Sequence, residues 1–166
     1  MKNLYLVRHA KPDSYDQDVA DIDRSLIESG IEEARLMCKY LLAQNIKVDR
    51  ILCSPALRTF STAQIFAEAG LFKEASIVLM QELYNSSVKD YIKILSEQSD
   101  SVSSLFLFGH NPSISELLGY LSKGRELEMS TCSVAQLEFS VDSWKMIEQR
   151  GGKNLGTLNP SSLKSL

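Results

Sequence analysis

The chain has 166 residues, about the size of one ordinary domain, and 44% of them are hydrophobic, which is enough for one core. Its 18 Lys and Arg against 21 Asp and Glu leave a net charge of −3, so it lacks the basic footprint of a nucleic-acid-binding protein. The N-terminal apolar run stops at Arg8, too soon for a signal peptide, and no later stretch approaches the roughly 18 apolar residues of a membrane span. We therefore expect a cytoplasmic protein with neither nucleic acid nor membrane as a partner.

The first element in the chain is a short apolar strand at residues 4–7 that ends on Arg8 and His9. Apolar residues without polar alternation are typical of a central strand covered on both faces. In open α/β sheets, ligands bind outside the carboxyl ends of the strands. Arg8 and His9 are therefore placed where a ligand would bind.

A polar loop is predicted at residues 11–24, with four aspartates before Asp23 and Arg24, namely Asp13, Asp16, Asp18 and Asp21. Connections this long without secondary structure are usually functional or disordered. Because the loop leaves the edge that carries His9, we expect it to form one wall of a site. A solvated acidic loop without a role is the open alternative.

The next segment predicts a helix, a strand and a second helix. Helical spacing of apolar residues covers residues 27–44, and residues 48–53 predict a short strand. Ser54-Pro55 is interpreted as an N-cap and first helical residue, and the helix is expected to run to Gly70. Arg58 falls in its first turn, where negative charge is preferred, so a bound anion is expected there.

The second half of the chain repeats this alternation. Residues 76–80 predict a third strand followed by Glu82, and residues 88–95 a helix. Residues 105–108 predict a fourth strand that ends on Gly109 and His110. Asn111 and Pro112 are expected to cap and open a helix to Gly124.

The last part of the chain predicts two further strands, at residues 134–139 and 144–147. We expect these two strands to be antiparallel. Residues 151–166 are rich in Gly, Ser, Asn and Lys and are expected to form a loosely packed tail, although three leucines could pack on the body. We therefore expect one domain over residues 1–150 and a C-terminal tail on it.

Alternating strands and helices predict an α/β fold, with helices on both faces of a mainly parallel central sheet. In such a sheet the residues at the carboxyl ends of the strands share one edge. We therefore expect a cluster there of five side chains, Arg8, His9, Arg58, Glu82 and His110.

The three cysteines, Cys38, Cys53 and Cys132, are an odd number without CxxC spacing, and two of them lie within apolar patterns. Buried free thiols are therefore favoured over disulfides, metal ligands or nucleophiles.

The predicted cluster suits a tetrahedral phosphate. Guanidinium groups bind phosphate oxygens bidentately, and backbone N–H groups at a helix start add donors. The chain has no GxxxxGK[ST] motif and no GxGxxG after its first strand, which favours one phosphoryl group over a nucleotide. His9 could accept the phosphoryl group on a ring nitrogen, and nearby arginines would keep it neutral by lowering its pKa. His110 would donate to the phosphate oxygens, and Glu82 could protonate the leaving group.

Four motifs, in this order in the chain, resemble those of the histidine phosphatase superfamily, in particular its small SixA-type branch. They are Leu6-Val7-Arg8-His9-Ala10, then Asp23-Arg24 with Leu26 and Gly30, then Ser54-Pro55-Ala56 with Arg58, Thr59, Thr62 and Ala63, and finally Phe108-Gly109-His110-Asn111-Pro112. The resemblance implies a phosphoglycerate-mutase-like, three-layer α/β/α fold and a phosphatase without metal or cofactor. It implies a phosphohistidine intermediate on His9, with Arg8, Arg58 and His110 around the phosphate.

The resemblance also implies supporting residues and a substrate class. Glu82, in Gln81-Glu82-Leu83, resembles the acid of mutase-like members, and Arg24 and Asn111 within the motifs become candidate substrate-binding residues. The short spans after the third strand leave no room for a large cap, so phosphohistidine on a signalling or phosphorelay protein is the expected substrate. A small-molecule phosphomonoesterase, acting on a phosphorylated metabolite, and a non-catalytic phosphate-binding module are the alternatives. A two-histidine metal site with the loop aspartates is disfavoured by the two arginines.

Overall fold

A six-stranded sheet forms the centre of the computed structural model, which describes residues 1–15, 17–123, 128–147, 149 and 151–165. Within these residues the strands are β1 (Lys2–Arg8), β2 (Arg50–Cys53), β3 (Ile77–Leu79), β4 (Ser104–Gly109), β5 (Val134–Phe139) and β6 (Lys153–Leu158). The α-helices are α1 (Glu28–Ala43), α2 (Leu57–Glu68), α3 (Val88–Ser96), α4 (Ser113–Leu121) and α5 (Pro160–Lys164).

The strand order is β3-β2-β4-β1-β5-β6. Strands β1 to β4 are mutually parallel, whereas β5 pairs antiparallel with β1 and β6 antiparallel with β5. The sheet is therefore mainly parallel, as the alternation of elements predicted. Arg8 at the end of β1 is in register with Gly109 at the end of β4, so the residues that follow both strands lie side by side.

Helices cover both faces of the sheet because its central strands are apolar on both sides. Leu4 and Leu6 of β1 pack in one buried cluster with α3 and α4. Tyr5 and Val7 point to the opposite face and pack in a second cluster with α1 and α2. The result is the three-layer α/β/α architecture that the resemblance implied.

Both predicted helix caps are wrong. Helix α2 begins at Leu57 with Ala56 at its N-cap and no side-chain cap. Ser54 lies two residues before that N-cap, where its hydroxyl bonds a histidine of the site and accepts the Ala56 N–H at 3.4 Å. Helix α4 has Pro112 at its N-cap, and the Asn111 side chain does not cap it. Helix α4 ends at Leu121, with Ser122 extended after it. Gly124, its predicted end, lies outside the described residues, as does Asp16 of the acidic loop.

The predicted strand at residues 144–147 is wrong, because Trp144 begins a 3₁₀ turn. Its indole is fully buried and donates Nε1–H to the Val102 carbonyl at 2.8 Å, which anchors the turn beside α3. The tail, expected to pack loosely, contributes strand β6 and helix α5 instead. Asn159 caps α5, and Leu163 is buried against the face that α1 covers.

All three cysteines are buried and free. Among the residues described, no helix is both long and apolar enough to cross a membrane.

Candidate active site

The structure brings two histidines and an arginine from three elements into one cleft at the carboxyl edge of the sheet. His9 follows β1, His110 follows β4, and Arg58 is the second residue of α2. The two imidazole centroids are 5.3 Å apart, and Arg58 Nη2 lies 3.4 Å from His110 Nδ1. The strand ends and the helix start place these side chains as their sequence positions predicted.

His9 is held in one orientation and is only 6% exposed. Its Nδ1 lies 2.7 Å from the Ala10 carbonyl, which can only accept, so Nδ1 donates and Nε2 keeps its lone pair. Backbone bonds join His9 to Gly109 at 3.3 Å and to Cys132 at 3.0 Å. Thr62 Oγ1 accepts the Ala10 N–H at 2.9 Å. The ring is thus preorganised with one nitrogen available as a nucleophile.

Both histidines are kept neutral by their surroundings. Burial lowers the pKa of His9 to about 4, and the positive charges of Arg58 and Arg8 act in the same direction. Burial lowers the pKa of His110 to about 3, helped by the fields of His9 and Arg58. The sequence interpretation gave the arginines as the cause, but loss of hydration is the larger effect.

His110 is also held by hydrogen bonds. Its Nδ1 must accept from Arg58, which can only donate, so Nε2 carries the proton and donates to Ser54 Oγ at 2.7 Å. Thr59 Oγ1 is 3.3 Å from the same nitrogen. The expected donation from His110 to a phosphate oxygen therefore requires it to exchange one of these partners.

Arg8 borders the cleft next to the loop that precedes β5. Its Nη1 donates to the Met129 carbonyl at 2.8 Å, while its Nε is buried without a hydrogen-bond partner among the described residues. Its positive charge is close enough to lower the pKa of both histidines. Arg8 therefore has an unused donor at the same edge of the sheet.

The sequence predicted a bound anion beside Arg58, and in the structure the carboxylate of Asp21 occupies that position. Arg58 donates Nη1–H to the Asp21 carbonyl at 2.6 Å and Nη2–H to Asp21 Oδ2 at 3.1 Å. The Tyr84 hydroxyl donates to the same Oδ2 at 2.7 Å. That hydrogen bond, together with the Arg58 charge, holds the pKa of the Asp21 carboxyl below its usual range. The carboxylate thus offsets the positive charge in the first turn of α2.

The remaining candidates from the sequence are placed differently. Within the described part of the chain, Arg24 is linked to the cleft through Asp21, at 3.8 Å between Arg24 Nε and Asp21 Oδ1. Asn111 uses its amide to donate to the Met129 carbonyl at 3.0 Å and to accept from Ser115 Oγ at 2.6 Å. Glu82 is exposed, and no hydrogen bond or ion pair ties it to the described residues of the cleft.

Sequence reasoning missed four residues that hold the site: Asp21, Ser54, Thr62 and Tyr84. Ser54 and Thr62 lie in the motif around Arg58, but their hydroxyls were assigned to a cap or not interpreted. Asp21 was one of several loop aspartates, and its only distinguishing signal was its position three residues before Arg24. Nothing in the sequence near Tyr84 indicated its contact with Asp21.

Comparisons with known proteins agree with this geometry. Residues 4–91, just over half of the chain, match the model of the histidine phosphatase superfamily, branch 1. An uncharacterized protein of Mycobacterium tuberculosis is 35% identical over 67% of this chain and 66% of its own length. Phosphohistidine phosphatase SixA of Escherichia coli is 26% identical over 97% of this chain and 96% of that protein.

Solved structures of the same type share the fold. The protein histidine phosphatase SixA complexed with tungstate superimposes with a TM-score of 0.80 at 22% identity, covering 97% of this chain and 99% of that chain. A candidate phosphohistidine phosphatase SixA from Agrobacterium tumefaciens gives a TM-score of 0.81 at 27% identity, covering 96% of this chain and 98% of that chain. The matched region spans about two thirds of the mycobacterial relative but nearly all of the SixA proteins. The chain therefore belongs to the histidine phosphatase superfamily, branch 1, and over nearly its whole length it is similar to SixA proteins.

Proposed function

We propose that the chain is a metal-independent phosphatase that forms a phosphohistidine intermediate on His9. Its proposed substrate is phosphohistidine on a signalling or phosphorelay protein. The observation that carries this proposal is the neutral, oriented imidazole of His9, whose free Nε2 lies beside His110 and the charges of Arg8 and Arg58. A nucleophilic histidine must attack through an unprotonated ring nitrogen, and the His9 pKa of about 4 keeps the ring neutral, with Nε2 free, at neutral pH.

In the first step His9 Nε2 attacks phosphorus, and the bond from phosphorus to the leaving atom breaks. Arg8 and Arg58 bind the equatorial oxygens and stabilise the charge that spreads over them, where one preorganised donor is worth roughly 3–4 kcal/mol. In this proposal the phosphate displaces the Asp21 carboxylate from Arg58, and His110 donates a further hydrogen bond to a phosphate oxygen.

In the second step water attacks the phosphoryl group on His9. The new P–O bond forms as the P–N bond to His9 breaks, the electron pair of that bond returns to Nε2, and both protons of the water leave with the phosphate as H₂PO₄⁻. His9 returns to its neutral form, because the low pKa disfavours its protonation. The cycle is then ready to repeat.

The chemistry of the leaving group supports phosphohistidine as the substrate. The alkoxide that leaves a phosphate ester needs an acid to protonate it. Asp21 is ionised, and Glu82 makes no hydrogen bond or ion pair with the described residues of the cleft. A phosphorylated imidazole that is protonated on its second nitrogen departs as neutral imidazole and needs no such acid. Two relatives that match nearly the whole chain are named phosphohistidine phosphatase, one of them as a candidate, which also supports phosphohistidine as the substrate.

The intermediate can be tested directly. During turnover of a phosphohistidine protein, rapid alkaline quenching and mass spectrometry should find phosphate on His9 and not on His110. A His9→Asn variant is the matched control, because its amide can still donate to the Ala10 carbonyl. Turnover by this variant, or a phosphoryl group on another residue, would contradict the proposal, and chelators should leave the native rate unchanged.

The small-molecule alternative has its own test at Glu82, which remains the proposed proton donor for phosphate esters only. We expect Glu82→Gln to leave the turnover of phosphohistidine protein unchanged. A faster native rate on sugar or nucleotide monophosphates, with a loss in Glu82→Gln restricted to those esters, would favour the phosphomonoesterase. Tight phosphopeptide binding without turnover would favour a binding module.

A further inference from the structure

A cavity of about 380 Å³ adjoins the catalytic cleft on the side of α3 and α4. Its lining includes Arg58, His110, Asp21, Tyr84, Ser86 and Tyr91. This volume lies at the lower end of the range of roughly 300–1,000 Å³ for small-molecule pockets. We call this cavity the leaving-group pocket, for the reasons that follow.

Two buried hydroxyls in the leaving-group pocket have no hydrogen-bond partner within the described part of the chain. Tyr91 is fully buried and Ser86 is 7% exposed, and neither Tyr91 Oη nor Ser86 Oγ makes a hydrogen bond. The Tyr91 hydroxyl interacts with the Ser86 side chain and the His110 backbone, but neither contact meets the distance and angle limits of a hydrogen bond. Since most buried side-chain polar atoms are paired, two such hydroxyls in one cavity indicate a binding function.

Except for the exposed amide of Asn85, the other polar side chains in the described lining of the leaving-group pocket already have partners. Ser113 Oγ donates to the Ser86 carbonyl, and both ends of the Asn111 amide are bound. The Tyr84 hydroxyl is held by Asp21. In the buried part of the described lining, the hydroxyls of Tyr91 and Ser86 are therefore the hydrogen-bonding groups left for a ligand.

The pocket lies where a leaving group would go. In phosphoryl transfer the attacking and leaving atoms stand roughly in line on opposite sides of phosphorus. The pocket is lined by Arg58 and His110, which border the proposed phosphate, but His9 is not part of its described lining. A phosphoryl group attacked by His9 therefore directs its leaving group away from His9, toward this pocket.

The charges of the pocket select against an acidic leaving group. Asp21 contributes a carboxylate, while Arg58 is the one cation among the described lining residues and is assigned to the phosphate itself. A second anion would face Asp21 without a positive partner, and such burial is unfavourable. A neutral or cationic ring with a hydrogen-bonding nitrogen fits this lining.

We propose that the leaving-group pocket binds the imidazole ring of the substrate phosphohistidine, with the Tyr91 and Ser86 hydroxyls bonded to its unphosphorylated nitrogen. This inference rests on the proposed function. The bond from His9 Nε2 to phosphorus forms while the substrate P–N bond breaks and its electron pair moves into the ring. Because the ring already carries a proton on its second nitrogen, it leaves as neutral imidazole, and the two hydroxyls hold it in line.

The test compares two compounds with a P–N bond, of which only one carries a ring that can enter the pocket. One is a phosphohistidine peptide with blocked termini, and the other is the phosphoramidate ion, whose leaving group is ammonia. We expect Tyr91→Phe and Ser86→Ala each to lower kcat/KM for the peptide about fivefold to tenfold, the size of one hydrogen bond. Turnover of the phosphoramidate ion should not change.

The controls separate this role from a structural one. Removing an unpaired buried hydroxyl should leave thermal stability unchanged or higher, so each variant is expected to fold. Tyr40→Phe, at an exposed position on α1, should alter neither substrate. Equal losses on both substrates, or no loss on the peptide, would overturn the pocket assignment. A native protein that turns over neither compound would instead overturn the proposed function.

Discussion

At the scale of single residues, the two buried histidines make stability depend on pH. An unfolded histidine has a pKa of about 6.5, whereas burial lowers that of His9 to about 4. The unfolded state therefore binds more protons between these values, so the stabilisation is complete above pH 6.5 and is lost as pH falls toward 4. For His9 the difference amounts to roughly 3 kcal/mol.

We predict that urea unfolding will show a free energy that falls between pH 6.5 and 5 by at least about 1.4 kcal/mol per pH unit. In His9→Asn the slope should be shallower by about that amount, because His110 still titrates. Carboxylates contribute equally to both proteins and cancel in the comparison. Identical slopes in the two proteins would show that His9 is not held neutral by the fold.

Asp21 competes with the phosphate for Arg58, which gives a second prediction. Asp21→Asn removes the carboxylate charge but keeps the backbone carbonyl that holds Arg58 Nη1 at 2.6 Å, so Arg58 stays oriented. Inorganic phosphate should then inhibit at about a twofold to fivefold lower concentration, a modest change because the Asp21 side chain is 54% exposed.

The matched control for Asp21 is Asp23→Asn, an exposed change in the same 3₁₀ turn. It should leave inhibition by phosphate unchanged. The difference between the two variants should shrink in high salt, because salt screens an exposed charge. Weaker inhibition in Asp21→Asn would mean that the carboxylate orients Arg58 rather than competing for it.

At the scale of elements, Gly30 sets how closely α1 approaches the chain that follows His9. A Cβ built on Gly30 would lie 2.7 Å from the Lys11 carbonyl oxygen and 2.9 Å from the Lys11 nitrogen. Both atoms belong to the backbone and cannot rotate away. Contact of α1 with this backbone therefore helps to fix the position of Ala10 and His9.

Gly30→Ala should therefore destabilise the protein, although the same change at an open helical position stabilises by up to about 1 kcal/mol. We expect a loss of about 1–3 kcal/mol in urea unfolding, as for other overpacked sites. Activity should fall with it, because Lys11 would move. Ser29→Ala, exposed on the same helix, should be near neutral, and a Gly30→Ala protein as stable as native would refute the close approach.

The alternation of apolar runs and helical spacing was sufficient to predict the sheet, its two layers of helices and the edge where His9, Arg58 and His110 meet. These features depend on periodicity and on strand ends, both of which are local in the sequence. The partners of the site depend instead on contacts between distant segments. The Tyr84 contact with Asp21 joins residues 63 positions apart, and no local pattern reports it.

Helix caps failed for a related reason. A serine before a proline can cap a helix, but Ser54 lies opposite His110 in the folded chain and bonds that ring instead. The tail was underestimated because its composition resembles a loop, whereas the exposed edge of β5 offers its backbone a partner. In both cases a tertiary contact overrides the local preference.

At the scale of the whole molecule, Glu33 joins the C-terminal helix to the segment after His9. Glu33 lies on α1 with its side chain only 7% exposed, and its Oε1 is 2.9 Å from Lys164 Nζ and 3.3 Å from Lys11 Nζ. Lys164 belongs to α5, and Lys11 follows Ala10. One buried carboxylate therefore connects the two ends of the chain across α1.

Because both lysines reach the same oxygen, either one alone can neutralise Glu33. We predict that Lys11→Met and Lys164→Met will each lower the free energy of unfolding by about 0.5–1 kcal/mol, as for exposed ion-pair partners. The double variant should lose about 3–5 kcal/mol, because it leaves a buried charge unpaired. Urea unfolding of the four proteins gives the coupling energy directly.

The same cycle in a Glu33→Gln background decides whether the carboxylate is the cause. A neutral amide needs no counter-charge, so the two lysine changes should become additive there. Additive losses in the native background, or a coupling energy that stays the same in the Glu33→Gln background, would instead mean that the lysine stems stabilise the protein by packing. A coupling energy between the two lysine changes that is present in the native background and absent in the Glu33→Gln background would show that helix α5 stabilises the segment after His9 through one shared carboxylate.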